Sequence, residues 1–370
     1  MENNEVFFKN IFYDRERNKV YVHEVVNGET VKFVEDYVRT IYVPDKNGSR
    51  KDIFGNRFKP MDVTYDQLKN LRNVFKNNLC ESDIAEDVQY ICKRYYPNGE
   101  MKPDFTSFNV CTCDIEIESG SSGFSDTHKI KVKKLLNEFE EYLGDFQKSN
   151  KLEDYKVFDE RKNKWVKFKD SCYYAVSEFP KPEEAKYPIN LISCLSSKTG
   201  VVTTFGNRPY NGNNKSIDYR YHKDEVELLT EFIKYFRKNK FDIITGWNVK
   251  NFDIQYIINR CIALGVKYEK LSPYNIVNSR LGKIIQGRQN YYVTIAGVTV
   301  LDYLDLYDNF TFETLESYTL NFVGMHVVGE GKLDLDGQVN NEWATNWDNF
   351  VDYNIQDVLL VDKLTRRLSL

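Results

Sequence analysis

Two hydrophobic periods alternate along the chain. In the first hundred residues a period of two dominates. VFFKNIFY (6–13), KVYVHEVV (19–26) and TVKFVEDYVRTIYV (30–43) interleave apolar and polar positions, with turn signals at Asn27-Gly28 and at NGS (47–49). Such runs predict half-buried strands. At Thr64 the period becomes helical: Leu68, Leu71, Val74 and Phe75 recur at helix spacing, with Thr64 or Asp66 placed near the helix start. TSFNVCTCDIEI (106–117) is then the first strongly strand-like stretch of a new unit, and a boundary is expected near Phe105.

From 119 to about 177 the character changes. SGSSG reads as a flexible joint; Ile130, Val132, Leu135, Leu136, Phe139, Tyr142 and Leu143 mark an amphipathic helix; and YKVFDERKNKWVKFKD reads as a two-stranded hairpin. The strand pattern resumes at YPINLISCLSS and VVTTF. A helix with Val226, Leu229, Phe232 and Phe236 follows and leads into FDIITGWNV. Ile254, Ile257, Ile258, Cys261 and Ile262 form another helical stripe, ending before Gly265, and RLGKIIQGRQNYYVTIAG (280–297) reads as a hairpin. Strands interleaved with helices predict an α/β fold.

Composition narrows the chemistry. The 370 residues suit two or three units, and 41% hydrophobic with 29% charged residues excludes intrinsic disorder. No run approaches the eighteen or so apolar residues of a membrane span, and the start lacks a secretory pattern, so a cytoplasmic protein without membrane contact is expected. Seven scattered cysteines without a CxxC pair and four dispersed histidines speak against disulfide frameworks, structural zinc and histidine metal centres. Any metal chemistry must therefore run on carboxylates. A net charge of −4 argues against coating nucleic acid by charge alone, though not against gripping a few nucleotides in one cleft. The 26 tyrosines and 24 phenylalanines suit base stacking, while half-buried strands are the blander destination for most of them.

Three acidic places stand out. In CDIEI, Asp114 and Glu116 lie two apart on an apolar strand, so their carboxylates share a face, about 7 Å apart along the strand. Two acids on a core strand are costly unless cations neutralise them. In GWNVKNFDIQYIINRCIALG, Asp253 falls in the first turn of a helix, where the macrodipole favours a carboxylate; a plain helix-start aspartate is the alternative. In YNIQDVLLVDKL, Tyr353 and Asp357 are neighbours on one helical face, and Ile355, Val358, Leu359 and Val361 can pack inward opposite them. Asp302, Asp305 and Asp308 read as helix-start or solvated residues rather than ligands.

In this order, CDIEI, NVKNFD and YNIQD resemble the Exo I, Exo II and Exo III motifs of the DEDD 3′–5′ exonucleases, in the tyrosine-containing variant. The narrower resemblance is to the N-terminal and proofreading regions of family B DNA polymerases, in particular those of T-even-type phages. TGWN (245–248), VLDYLDLY (300–307) and FPKPEEAKYPI (179–189) support it, and KDIFG (51–55) and ESDI (81–84) are weaker matches. The resemblance implies an incomplete α+β polymerase-type N-terminal domain over 1–105. An RNase H-like mixed-sheet exonuclease domain would follow over 106–370, with an insertion at about 119–177. It further implies two ions of Mg²⁺ or Mn²⁺ held by Asp114, Glu116, Asp253 and Asp357. Asp114 would bridge them, Asp253 would act partly through water, and Tyr353 would orient the attacking water. Phe252 and Phe179 would wedge against terminal bases and Asn248 would hold a backbone or sugar group. For Tyr353 the alternative is a phenol capping the core, and for the phenylalanines a place within it. The 280–297 hairpin would help to separate a primer end from its template.

The implied activity is removal of nucleotides from single-stranded or frayed DNA 3′ ends by two-metal hydrolysis. The polymerase motifs SLYPS and DTD have no counterpart here, so the expected partners are a primer 3′ end, a polymerase chain or the remainder of a polymerase, and replisome proteins. A phage-encoded version would work in the host cytoplasm. The 119–177 insertion is open between partner docking, a longer DNA channel and surface decoration. The competing function is a binding module for nucleic acid or a polymerase partner in which cleavage is incidental.

Overall fold

The computed structural model describes residues 6–76, 78–96, 101–118, 156–159, 164–167, 180–212, 214, 216–285, 288–333 and 342–369. The expected amphipathic helix at 130–143 and the SGSSG joint lie outside them.

The period-two runs at the start form β1 (Val6–Asp14), β2 (Lys19–Val26) and β3 (Glu29–Asp36), an antiparallel sheet. The third run does not continue as one strand. It divides at Tyr37-Val38, and β4 (Arg39–Pro44) pairs instead with β6 (Arg57–Val63), which also carries the short β5 (Arg50–Lys51). Two helices, α1 (Tyr65–Phe75) and α2 (Glu86–Tyr95), follow. Thr64 caps α1 through a capping box with Gln67, and Leu68 is buried. Val74, expected on the packed face, is 71% exposed, because it lies about 120° around the helix from Leu68.

From Val110 onward the chain builds a six-stranded mixed sheet. Its strands are β7 (Val110–Ile117), β10 (Ile189–Ser196), β11 (Val202–Gly206), β12 (Ile217–Tyr221), β13 (Ile243–Gly246) and β16 (Thr299–Asp302), in the order β12-β11-β10-β7-β13-β16. β10 runs antiparallel to both its neighbours, and the other pairings are parallel. Two expected hairpins form as separate ribbons: β8 (Lys156–Asp159) with β9 (Lys164–Lys167), and β14 (Val277–Ile285) with β15 (Arg288–Ile295).

Helices cover both faces of this sheet. On one, Cys111, Cys113, Ile115, Ile192, Cys194 and Phe205 pack against α3 (Glu225–Asn239) and α4 (Asp253–Leu264). After α5 (Tyr303–Phe310) and α6 (Leu320–Val328), the long α7 (Trp347–Leu368) closes the other face. There Phe350, Val351, Ile355 and Val358 meet Leu191, Leu195 and Val202. Each such side chain contributes roughly 1.5–3 kcal/mol on full burial, so α7 is held by its apolar stripe. The register pairs Asp114 with Ser193 and Glu116 with Leu191, which turns both carboxylates toward α7. The result is the expected α/β architecture of RNase H-like type. Among the described residues no helix is long and apolar enough to cross a membrane.

The first sheet is tied to this larger one by polar contacts. Lys9 Nζ reaches Asp242 Oδ2 at 2.9 Å, Asn10 bonds to Thr299 and Gly297, and the Tyr274 hydroxyl donates to the Val22 carbonyl.

Candidate active site

Strand β7 supplies the first two acids because its side chains alternate: Cys113 and Ile115 enter the core, while Asp114 and Glu116 face α7. The third acid arrives by a different route. β13 pairs with β7 only from Val110 to Thr112, then leaves at Gly246. Gly246 passes so close to the Cys113 carbonyl that a Cβ there would stand 2.3 Å from its oxygen. Among the described residues the edge of β7 has no strand partner on this side beyond that point. The Ile115 N–H turns instead to Asp253, donating to Oδ1 at 3.1 Å. Asp253 opens α4, as expected, and is 3% exposed.

From the other side, α7 brings Tyr353 and Asp357, one turn apart and both buried. One oxygen each of Asp114, Glu116 and Asp357 lies within 4.8 Å of the others. Asp253 is outside that triplet, at its margin. Asn354, fully buried on the same helix, donates from Nδ2 to Asp114 Oδ2 at 2.7 Å and so fixes the rotamer of the central carboxylate.

Burial and mutual repulsion push these acids up. Glu116 rises to about 8, through burial and Asp357, with Lys332 working the other way. Asp253 rises to about 7, again by burial, although the Ile115 N–H holds it down in part. Asp114 stands well above the ordinary value through burial, Asp253, Asp357 and Glu116, and Asp357 is raised by burial against the pull of Lys332. Tyr353 is pushed to about 12 by burial and by Asp357.

No sequence pattern singles out Lys332. Its ammonium donates to Asp357 Oδ2 and to Tyr353 Oη, the latter at 3.1 Å, and sits 5.0 Å over the Tyr353 ring. Burial works against this charge, but Asp357, Tyr353 and Asp114 outweigh it and raise the lysine above its usual range. A cation thus already sits against the cluster.

A family model described as "DNA polymerase family B, exonuclease domain" matches residues 101–323. The chain belongs to this family. The DNA-directed DNA polymerase of Enterobacteria phage T4 is 29% identical over 355 residues, covering 94% of this chain and 35% of the phage protein. That of Escherichia phage RB69 is 31% identical over 211 residues, covering 50% of this chain and 23% of the relative. The DNA polymerase delta catalytic subunit of Candida albicans is 30% identical over 169 residues, covering 43% of this chain and 16% of the relative. The chain therefore spans about a third or less of the length of these relatives.

Family B exonuclease domains are metal-dependent, and the donors of this member fit a hard divalent cation. Three carboxylates converge with no histidine or thiolate among them. Asp357 Oδ1 is buried without a hydrogen-bond partner among the described residues, an acceptor oxygen left over after Lys332 has taken Oδ2. Such a cost is removed by a ligand.

The remaining expected residues fall into place unevenly. Asn248 adopts a left-handed backbone (φ 64°), and its N–H, with that of Lys250, donates to Asp302. Asp302 caps α5 and is buried, so the helix-start reading holds; Asp305 pairs with Lys250 at 3.0 Å, and Asp308 is exposed. Phe252 is half-buried, its ring 5.6 Å from that of Tyr256. Phe179 lies outside the described residues.

Proposed function

We propose that this chain is a metal-dependent 3′–5′ exonuclease. It removes nucleotides from single-stranded or frayed DNA 3′ ends, as the proofreading activity of a family B replicative polymerase. The observation that carries this reading is the approach of Asp114, Glu116 and Asp357 oxygens to within 4.8 Å of one another, with Asp253 tied to the backbone between the first two. Asp114, Glu116 and Asp357 would hold one ion, and Asp114 with Asp253 a second. Mg²⁺ or Mn²⁺ bound there supplies an acidified water and offsets the charge of the phosphoryl transition state.

The protein's own groups do the positioning. Tyr353, with its phenol pushed to about 12, stays protonated at neutral pH. It therefore orients a water through its hydroxyl rather than deprotonating it. Asn354 holds Asp114 in one rotamer, and Lys332 keeps a positive charge against Asp357 and Tyr353 that can offset a developing anion. Phe252 and Phe179 stack against the terminal bases, Asn248 holds a backbone or sugar group, and the β14–β15 hairpin keeps the primer end from its template. The rest of a polymerase, in the same chain or another, and replisome proteins are the partners of this activity.

The test is incubation of the protein with a 5′-labelled oligonucleotide and Mg²⁺. A ladder shortening one nucleotide at a time, abolished by Asp114→Ala, is expected. No ladder, or one that survives Asp114→Ala, overturns the proposal.

A further inference from the structure

A second charged region lies at the other end of the sheet. The carboxylates occupy the later part of β7, whereas Asn109 and Asp242 mark the starts of β7 and β13. Five residues of strand separate Asn109 from Asp114, roughly 17 Å. Around these starts three adjoining recesses open. The first, about 810 Å³, is lined by Lys234, Arg237, Lys238, Lys267 and Lys270. The second, about 190 Å³, shares Arg237 and adds Lys32 and Lys240. The third, about 470 Å³, shares Lys32 and Lys240 and adds Lys9 and Lys198. Shared walls make them one track.

Negative charge is scarce along it. Among the described residues the lining holds a single carboxylate, Asp242, and that is consumed by Lys9 at 2.9 Å and by the Asn109 N–H at 2.8 Å. Glu231 answers Lys234 at 2.6 Å from beside the track. Lys32, Lys238, Lys240, Lys267 and Lys270 form no ion pair among the described residues. Their crowding is felt: burial first, then Lys240, Lys9 and Arg237, pull Lys32 below the ordinary lysine range against the opposing pull of Asp242. His23, 2% exposed, also lines the third recess and brings Nε2 to 3.7 Å from Asp242 Oδ1. Uncompensated ammonium groups lining connected recesses are a site arranged for an anion.

We infer that this track binds the phosphate backbone of a single-stranded polynucleotide, away from the carboxylate cluster and without regard to sequence. A run of adjoining recesses suits a flexible chain with a charge on every unit, and the larger two have room for nucleotide-sized segments. A flat lipid surface would not enter them. On a chain of net charge −4, so local an excess of cations marks a place rather than a general attraction. The inference concerns binding and stands apart from cleavage.

The test is fluorescence anisotropy with labelled dT20 in EDTA between 50 and 200 mM NaCl, comparing the native chain with Lys238→Gln/Lys267→Gln/Lys270→Gln. All three lysines are exposed. Each lost phosphate contact lowers the slope of log affinity against log salt by about 0.7, so the triple variant should show a slope shallower by about 2 and roughly tenfold weaker binding at 50 mM. rU20 should weaken equally, since the backbone is read and not the sugar. Degradation of dT3 in Mg²⁺, too short to span both regions, should be unchanged; if native protein leaves dT3 intact, the nuclease reading fails while the binding result stands. Unchanged dT20 affinity and slope would overturn the inference. So would a variant that loses binding to poly-glutamate or phosphatidylserine vesicles but not to dT20.

Discussion

Lys332→Met takes the ammonium out of the carboxylate cluster while nearly keeping the volume of the side chain. The native lysine bonds to Asp357, which is 2% exposed, and to Tyr353, and no other cation contacts these two among the described residues. At an effective dielectric near 20, unit charges 4 Å apart attract by about 4 kcal/mol. Removing one partner of a buried pair costs about 3–5 kcal/mol because the other charge is left dry. Protonation limits that loss. Asp114, Glu116 and Asp357 already stand above their ordinary values, and without the lysine they rise further, so at lower pH the cluster takes up protons and escapes most of the repulsion. The variant in EDTA should therefore lose about 3–5 kcal/mol at pH 8.5 and much less at pH 6. Mg²⁺ should recover more stability in the variant than in the native protein, because the divalent ion takes over the role of counter-charge. Urea unfolding followed by tryptophan fluorescence, at both pH values with EDTA or Mg²⁺, reads all four terms. An equal loss at both pH values, with no extra gain from Mg²⁺, would refute the electrostatic account and leave Lys332 as packing.

Other outcomes follow from the same geometry. Glu116 at about 8 and Asp253 at about 7 bind protons in the folded chain that the unfolded chain has released, since their ordinary values are 4.5 and 3.8. Metal-free stability should thus be greatest below about pH 4 as far as these groups decide it, and fall as pH rises toward 8; chemical denaturation in EDTA that shows a rise from pH 5 to 8 would contradict this. Gly246→Ala drives a methyl to 2.3 Å from the Cys113 carbonyl, so the strand end must shift; about 1–3 kcal/mol should be lost, with nuclease activity falling further than stability. Asp242→Asn strands the buried Lys9 ammonium and should cost about 3–5 kcal/mol in a melting experiment, most of it recovered by adding Lys9→Met. Tyr353→Phe should leave unfolding within about 1 kcal/mol of native yet slow single-turnover cleavage by about 10²-fold.

What the chain's pattern reveals is what local periodicity controls. The β2 run, the Thr64 cap, the α3 and α4 stripes (apart from Val226 and Ile262, which are exposed) and both hairpins are legible because each is decided by neighbours a few residues away. Where packing between distant segments decides, the pattern falls short. TVKFVEDYVRTIYV has no glycine or proline to divide it, yet it serves two sheets, because β3 finds its partner in β2 and β4 finds its own in β6. α7 shows the same limit: Ile355, Val358 and Val361 pack inward as expected, but Tyr353, Asn354 and Asp357 on the other sides are buried too. A helix enclosed on most sides by sheet, α6 and the acidic cluster cannot be told from an amphipathic one by its apolar stripe.

The site divides along the same line. Asp114, Glu116, Asp253, Tyr353 and Asp357 can be picked out because their spacing on strand and helix is local, and their order completes a pattern. Asp302 can be assigned to a helix start for the same reason, since it caps α5 through the Leu304 N–H, whereas its bonds to the N–H groups of Asn248 and Lys250 are long-range and leave no local mark. Asn354 and Lys332 have no such mark. Asn354 matters only because a residue 240 positions earlier needs a donor, and Lys332 only because a loop after α6 returns to α7. One signal is nonetheless present in principle. Four acids gathered from an apolar strand and two helices demand a counter-charge from the protein itself whenever no ion is bound, for otherwise the metal-free chain would carry several buried like charges. A lysine just past the end of α6, in GEGKL, is where such a charge can reach inward without breaking a helix. Charge balance, applied to an acidic cluster inferred from motif spacing, therefore directs the search for the residues that periodicity misses.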